Sequence, residues 1–251
     1  MIQDLHSHTY YSYCGKDSPE AVIETAIDNG IQFLGICDHN YGIGLQHEGA
    51  IYPNSLIRLQ EYQCALDAYC SRINQLAEKY KKQICILTGI EIATIDKEHL
   101  LLPKEISLSS FDYCLIEHID CPDTIVADLF EFVEQCSCPR VGIAHTDIPQ
   151  YILDTKQEPL EFFTKMAKHN IFWEMNVNFD STHGYREHQY VYNTLNDPAL
   201  VEILRRSQVK LSVGFDGHKI EDYDAKRVIS CCETITSLGL PLVDIPYKIV
   251  I

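Results

Sequence analysis

The chain of 251 residues carries 20 Lys and Arg against 36 Asp and Glu, a formal charge of −16, and is 46% hydrophobic and 22% charged. That composition excludes a disordered chain, and no apolar run reaches the roughly 18–20 residues that a membrane-spanning helix needs. The acidic balance weighs against a nucleic-acid backbone as partner, because such binders concentrate Lys and Arg.

The length suits one domain spanning residues 1–251, large enough to bury roughly 70–75% of the surface an unfolded chain exposes. The N-terminal MIQDLHSH has neither a basic region nor an apolar stretch, so no secretory signal is expected and the expected location is cytoplasmic. The eleven cysteines fit that compartment. Cys37, Cys85 and Cys114 lie inside apolar runs, Cys136 and Cys138 form only a CxC, Cys231 and Cys232 are adjacent, and no CxxC pair occurs. They read as reduced, mostly packed thiols.

In chain order, the first predicted strand is Ile2–Leu5, which runs into His6-Ser7-His8. A helix follows, opened by a capping serine, a proline and an acidic residue (Ser18-Pro19-Glu20) and stopped at Gly30. The strand Phe33–Cys37 delivers Asp38 and His39. Leu56, Leu59, Tyr62, Leu66, Tyr69, Ile73, Leu76 and Tyr80 recur at three or four residues and predict one long amphipathic helix. The strand Ile84–Ile90 ends in Glu91, and the strand Tyr113–Glu117 delivers Glu117 and His118. A helix is expected over Asp123–Glu134, and the strand Val141–Ala144 ends in His145. After a helix over Pro159–Lys168, the strand Ile171–Met175 carries Glu174 and meets Asn176. A loop over 178–192 holds His183, Arg186 and His188. A helix over Pro198–Arg206 precedes the strand Leu211–Phe215, which ends in Asp216-Gly217-His218, and the last helix is Ile220–Leu238.

Short, continuously apolar strands alternating with helices predict parallel βα units buried on both faces, in one barrel-like domain of about seven units. In such a barrel the C-terminal strand ends share one face, where active sites form. Every predicted strand delivers His, Asp or Glu there, and six of the eleven histidines sit at strand exits. His47, His99 and His169 read as bystanders. Imidazoles and carboxylates converging in one mouth imply divalent transition metals. Six His with Glu91 and Asp216 are too many for one tetrahedral ion and enough for two or three with open positions. Glu91 is a candidate bridge. Such ions generate a hydroxide near neutral pH and clamp phosphoryl oxygens.

The ordered series HxH (His6, His8), DH (Asp38, His39), GIE (Glu91), His118, AH (His145) and DxH (Asp216, His218) resembles the PHP superfamily, named for polymerase and histidinol phosphatase. It spans residues 6–218, and the length and the VGFDGHKIED segment are most similar to the stand-alone histidinol-phosphatase-type phosphoesterases. The resemblance implies an α/β fold, a distorted (βα)7 TIM-like barrel, and up to three metals. His6, His8, Glu91 and Asp216 would hold one ion. Glu91 would bridge to a second, held also by His118 and His145. His39 and His218 would hold the third, where the family places another His in the loop after HxH. Here Cys14 stands at about that place, as a candidate thiolate ligand. The implied ions are Zn, Mn or Fe, and the implied activity is hydrolysis of a small phosphate monoester such as histidinol phosphate.

Asp38 is expected as an orienting group or proton carrier, Arg186 as a phosphate clamp, and Glu174 and Asn176 as partners that position ligands. The expected partner is a small phosphorylated substrate, with no nucleic acid and no membrane, and nothing in the sequence fixes an oligomeric state. Three alternatives remain at this level. A phosphodiesterase or nuclease is disfavoured by the charge. A metal-dependent amidohydrolase of the carboxylated-lysine type is disfavoured because no Lys stands at a strand exit. A non-catalytic metal-binding module would be expected to have lost ligands.

Overall fold

The computed structural model describes residues 1–40, 42–43, 56–95 and 106–245, with the side chains of residues 56–59 set aside. His47 and His99, and the side chains of Leu56 and Leu59, lie outside the described residues. Seven parallel strands form one sheet in chain order: β1 (Gln3–Ser7), β2 (Phe33–His39), β3 (Cys85–Ala93), β4 (Tyr113–Glu117), β5 (Val141–Ile143), β6 (Ile171–Asn176) and β7 (Leu211–Gly214). The sheet curls until β7 meets β1 through one parallel bridge, Ser7 with Gly217, so the α/β barrel is nearly closed. Below that bridge the seam is bonded by a side chain. The buried Asp4 carboxylate accepts from the backbone N–H of Phe215 at 2.9 Å and of His6 at 3.2 Å.

The outer helices are α1 (Pro19–Asp28), α2 (Leu56–Tyr80), α3 (Leu129–Glu134), α4 (Ile148–Asp154), α5 (Pro159–Lys168), α6 (Gln189–Asn196), α7 (Pro198–Ser207) and α8 (Ala225–Ser237). Ser18 caps α1 as its sequence predicts, accepting from the N–H of Ala21. Two helix expectations change. The helix expected from Asp123 starts at Leu129, because Asp128 accepts from the N–H groups of Phe130 and Glu131 and so acts as N-cap. The helix expected over Ile220–Leu238 breaks into a 3₁₀ turn, Ile220–Asp222, and α8. Between them Tyr223 turns extended and donates its hydroxyl to Asp4 at 2.9 Å. Two short helices, α4 and α6, are additions. Asp147 with a proline in the first turn announces α4, while α6 occupies the end of what reads as a loop.

Two apolar layers result. The larger packs strands against helices around Trp173, Phe163 and Ile73. The smaller fills the barrel with Leu5, Leu87, Tyr113, Leu115 and Phe172, plugged by Val243 and Ile245. Tyr113 crosses that interior and donates its hydroxyl to the carbonyl of Leu5 at 2.6 Å. Only glycine fits beneath it at two places: a Cβ on Gly35 would lie 1.9 Å from its Oη, and one on Gly89 2.4 Å from its ring. The filled bottom leaves the top of the barrel as the open end, and the polar residues are found there.

Candidate metal centre

Side-chain alternation brings one set of polar groups into the mouth. Gly35, Cys37 and His39 share the inward face of β2; Leu87, Gly89 and Glu91 that of β3; Tyr113, Leu115 and Glu117 that of β4; Phe172, Glu174 and Asn176 that of β6. Register sets His39 directly beside Glu91. The remaining groups are re-aimed by the backbone. A register shift between Asp4 and Ser7 turns His6 inward after Leu5. His118 (φ 62°), His145 (φ 23°) and Asp216 (φ 56°) occupy the left-handed region, which non-glycine residues enter at a cost and which clusters at functional sites.

The nitrogen and oxygen atoms converge tightly. His6 Nε2 lies 3.1 Å from His8 Nε2 and 3.2 Å from Glu91 Oε1. His8 Nε2 is 3.0 Å from Asp216 Oδ1 and 3.4 Å from Glu91 Oε2. His39 Nδ1 is 2.9 Å from Glu91 Oε2, and His145 Nε2 is 3.1 Å from Glu91 Oε1. Glu91 therefore faces four imidazoles. His118 Nε2 pairs with Glu117 Oε2 at 2.9 Å. Ligand atoms of His8, Cys14, His39 and His218 all lie within 4.8 Å of one another, as do those of His6, His8 and Asp216 and those of His39, Glu91 and Glu117.

This donor set fits divalent transition ions. Two imidazole nitrogens facing one another at 3.1 Å repel unless a cation or a proton sits with them, and the buried oxygen Glu91 Oε2 is shared between the rings of His39 and His8 at 2.9 and 3.4 Å. Protons answer the charge when no ion does. Burial lowers His6, but the charges of Glu91, Glu174 and Asp216 hold it well above its ordinary value. Burial likewise opposes the rise of His145 to about 9, which its hydrogen bond to Glu91 drives, and of His218 to about 10, which its contact with Asp180 drives. Burial pushes the Glu91 carboxyl up, yet the charges of His6 and His39 keep it well below the carboxylate range. His8 is the exception: burial and the neighbouring His39 charge lower it to about 3.

The supporting residues explain the orientation. Glu174 accepts from the N–H of His145 at 2.8 Å through Oε2, and its Oε1 lies 2.8 Å from His6 Nδ1. A Cβ on Gly214 would lie 2.1 Å from that Oε1, so glycine is what lets Glu174 reach His6. The Asn176 amide donates to Glu174 and Asp216 at 3.3 and 3.5 Å. Asp38, expected as orienter or proton carrier, is enclosed by hydrogen-bond donors. Its fully buried carboxylate accepts from Thr9 N and Oγ1, Ser12 N and Oγ, and Tyr69 Oη. Ser12 Oγ in turn lies 3.1 Å from His8 Nδ1 and accepts from the His39 N–H at 2.9 Å.

An open cavity of about 300 Å³ sits over these groups, lined in part by Tyr13, Cys14, Glu117, His145, His183 and His188. Arg186, expected as a phosphate clamp, is not among the lining residues: it is exposed, and its Nε donates to the carbonyl of His183 at 3.3 Å. Two groups at the mouth escaped assignment from sequence. Glu117 had a readable signal in the alternation Tyr113, Leu115, Glu117. Asp180, buried beneath the loop, had none.

A family model described as the PHP domain matches residues 4–220. Among solved structures, the histidinol phosphate phosphatase of Lactococcus lactis, complexed with zinc, L-histidinol and phosphate, is 17% identical with a TM-score of 0.61, over 96% of this chain and 95% of that one. The HisK protein of Listeria monocytogenes is 15% identical with a TM-score of 0.50, over 88% of this chain and 96% of that one. At these identities the likeness shows the fold. No curated protein sequence matches the chain.

Proposed function

The chain belongs to the PHP domain family, and from that membership we propose that it is a metal-dependent phosphoesterase that hydrolyses a small phosphate monoester at a site of two or three divalent ions. The observation that carries this reading is the convergence of His6, His8, His39, His145, Glu91 and Asp216 at the open end of a barrel whose other end is filled. Bound ions would supply Lewis acidity toward phosphoryl oxygens and lower the pKa of water.

His6, His8, Glu91 and Asp216 would hold the first ion. Glu91, His118 and His145 would hold the second, with Glu117, 2.9 Å from His118 Nε2, beside them. His39, His218 and Cys14 would hold the third. Glu174 fixes the His6 ring and Asp38 fixes the loop that carries Ser12, so both are positioning residues. Among the described residues no Lys or Arg lines the cavity. A phosphate would therefore dock on the ions and the histidines, and a long polyanion would find no basic track. Histidinol phosphate is the first substrate to test, given what the Lactococcus lactis neighbour binds. All eleven cysteines are free thiols, which fits a reducing, cytoplasmic setting. Among the described residues no helix is long and apolar enough to cross a membrane.

The test is phosphate release from a panel of monoesters and diesters, with single-stranded DNA alongside. Turnover of small monoesters should vanish on chelation and return with zinc or manganese. Asp216→Asn and His145→Ala should fold and lose most of it. Metal-loaded protein that cuts single-stranded DNA efficiently and no monoester would favour a nuclease instead.

A further inference from the structure

The loop between β6 and α6 carries a histidine that no part of the metal assignment uses. His183 lines the cavity, and its side chain is 30% exposed. Beneath it Asp180 is fully buried and lies 2.9 Å from His183 Nδ1 through Oδ1, the same oxygen that accepts the His183 backbone N–H at 2.9 Å. The other ring nitrogen, Nε2, faces the mouth, 3.6 Å from Asp216 Oδ2. The ring stands edge-on to His218 at 5.0 Å.

This dyad is rigidly mounted. The N–H of Asp180 donates to Asn178 Oδ1 at 3.2 Å, and that of Asn178 to Asn176 Oδ1 at 3.0 Å. The Asn178 amide donates to the carbonyls of Phe215 and Asp216, both at 3.0 Å. The loop is thus laced to the exits of β6 and β7, the strands that deliver Glu174 and Asp216. A carboxylate on Nδ1 fixes the ring's orientation and keeps a proton on that nitrogen, which leaves Nε2 to exchange protons with whatever occupies the cavity. His188, the other loop histidine at the mouth, meets the rings of His145 and Tyr190 instead.

We propose that His183 is a catalytic residue, the proton donor to the departing alcohol, and that Asp180 is its positioning residue. This rests on the monoesterase reading and adds to it the leaving-group step. As water's oxygen bonds to phosphorus, the ester P–O bond breaks and its electron pair goes to the departing oxygen. Nε2–H gives its proton there, so the group leaves as the alcohol. Of the two protons of the consumed water, one returns to Nε2 and the other stays with the phosphate. The dyad therefore suits esters of ordinary alcohols, whose alkoxides are poor leaving groups.

The experiment compares zinc-loaded wild type, His183→Asn and Asp180→Asn on p-nitrophenyl phosphate, whose phenolate leaves unaided, and on a primary alkyl phosphate. Zinc content is measured on the same samples. His183→Asn should keep its zinc, stay within about tenfold of wild type on the aryl ester, and lose about 10²–10⁴-fold in kcat on the alkyl ester. Asp180→Asn should shift the same way by a smaller factor. Equal losses on both esters, loss of zinc from His183→Asn, or a wild type active on the aryl ester alone would each overturn the assignment and leave the phosphatase reading standing. A wild type that hydrolyses neither ester would remove that reading, and the proton donor with it.

Discussion

Cys14 stands among three imidazoles, with its ligand atom and those of His8, His39 and His218 all within 4.8 Å of one another. Burial raises its thiol, but hydrogen bonds with His218 and His39 outweigh this and bring it down to about 7. A thiolate among imidazoles is a zinc ligand set, and sulfur makes it softer than an all-nitrogen one. Crystals of the zinc-loaded protein should show an anomalous peak about 2.3 Å from Sγ; peaks confined to the surroundings of Glu91 would remove Cys14 from the ligands. The same scale explains which site residues a reader of the sequence can find. His39, Glu91 and Glu174 follow from strand parity once a barrel is assumed. His6, His118, His145 and Asp216 do not: a register shift or a left-handed backbone aims them, and only their place after an apolar run betrays them. The placement of Arg186 is not legible, because it follows two left-handed residues, Gly184 and Tyr185, that carry no periodic signal.

At the scale of elements, strands and site are built by the same alternation. Tyr113 and Glu117 lie on one face of β4, the first closing the bottom and the second lining the top. Tyr113→Phe would leave the buried carbonyl of Leu5 without its hydroxyl donor, costing about 1–3 kcal/mol. Urea denaturation of the metal-free protein should register that loss, and an unchanged midpoint would show that the bond contributes nothing. The strands were legible because each is a continuous apolar run, as burial on both faces requires. The short helices were not. α4 and α6 span seven and eight residues, too few for a helical period to stand out. The break before α8 arises from Tyr223 reaching Asp4, a contact 219 positions away in sequence that no local pattern encodes.

At the scale of the whole molecule, a chain of charge −16 gathers buried carboxylates at one end of a barrel and must neutralise them with ions or with protons. Without ions the protons sit on histidines. His145 and His218 titrate near 9 and 10 in the fold against an ordinary value of 6.5, so their charge contributes stability fully below about pH 6.5 and loses it as pH rises through 9 and 10. Chelated protein should therefore show a falling Tm between pH 7 and 10. Metal-loaded protein should fall less, since the ions replace those protons. A Tm of the chelated protein that stays flat over that window would contradict the assignment of charge. In the proposed site the strand exits form one metal centre bridged by Glu91. Metal content per chain, measured by elemental analysis on wild type and Glu91→Ala loaded identically, tests it most directly. The wild type should hold two or three ions, and the variant should lose more than one. A wild type with no stoichiometric metal, or a Glu91→Ala variant with undiminished content, would contradict it.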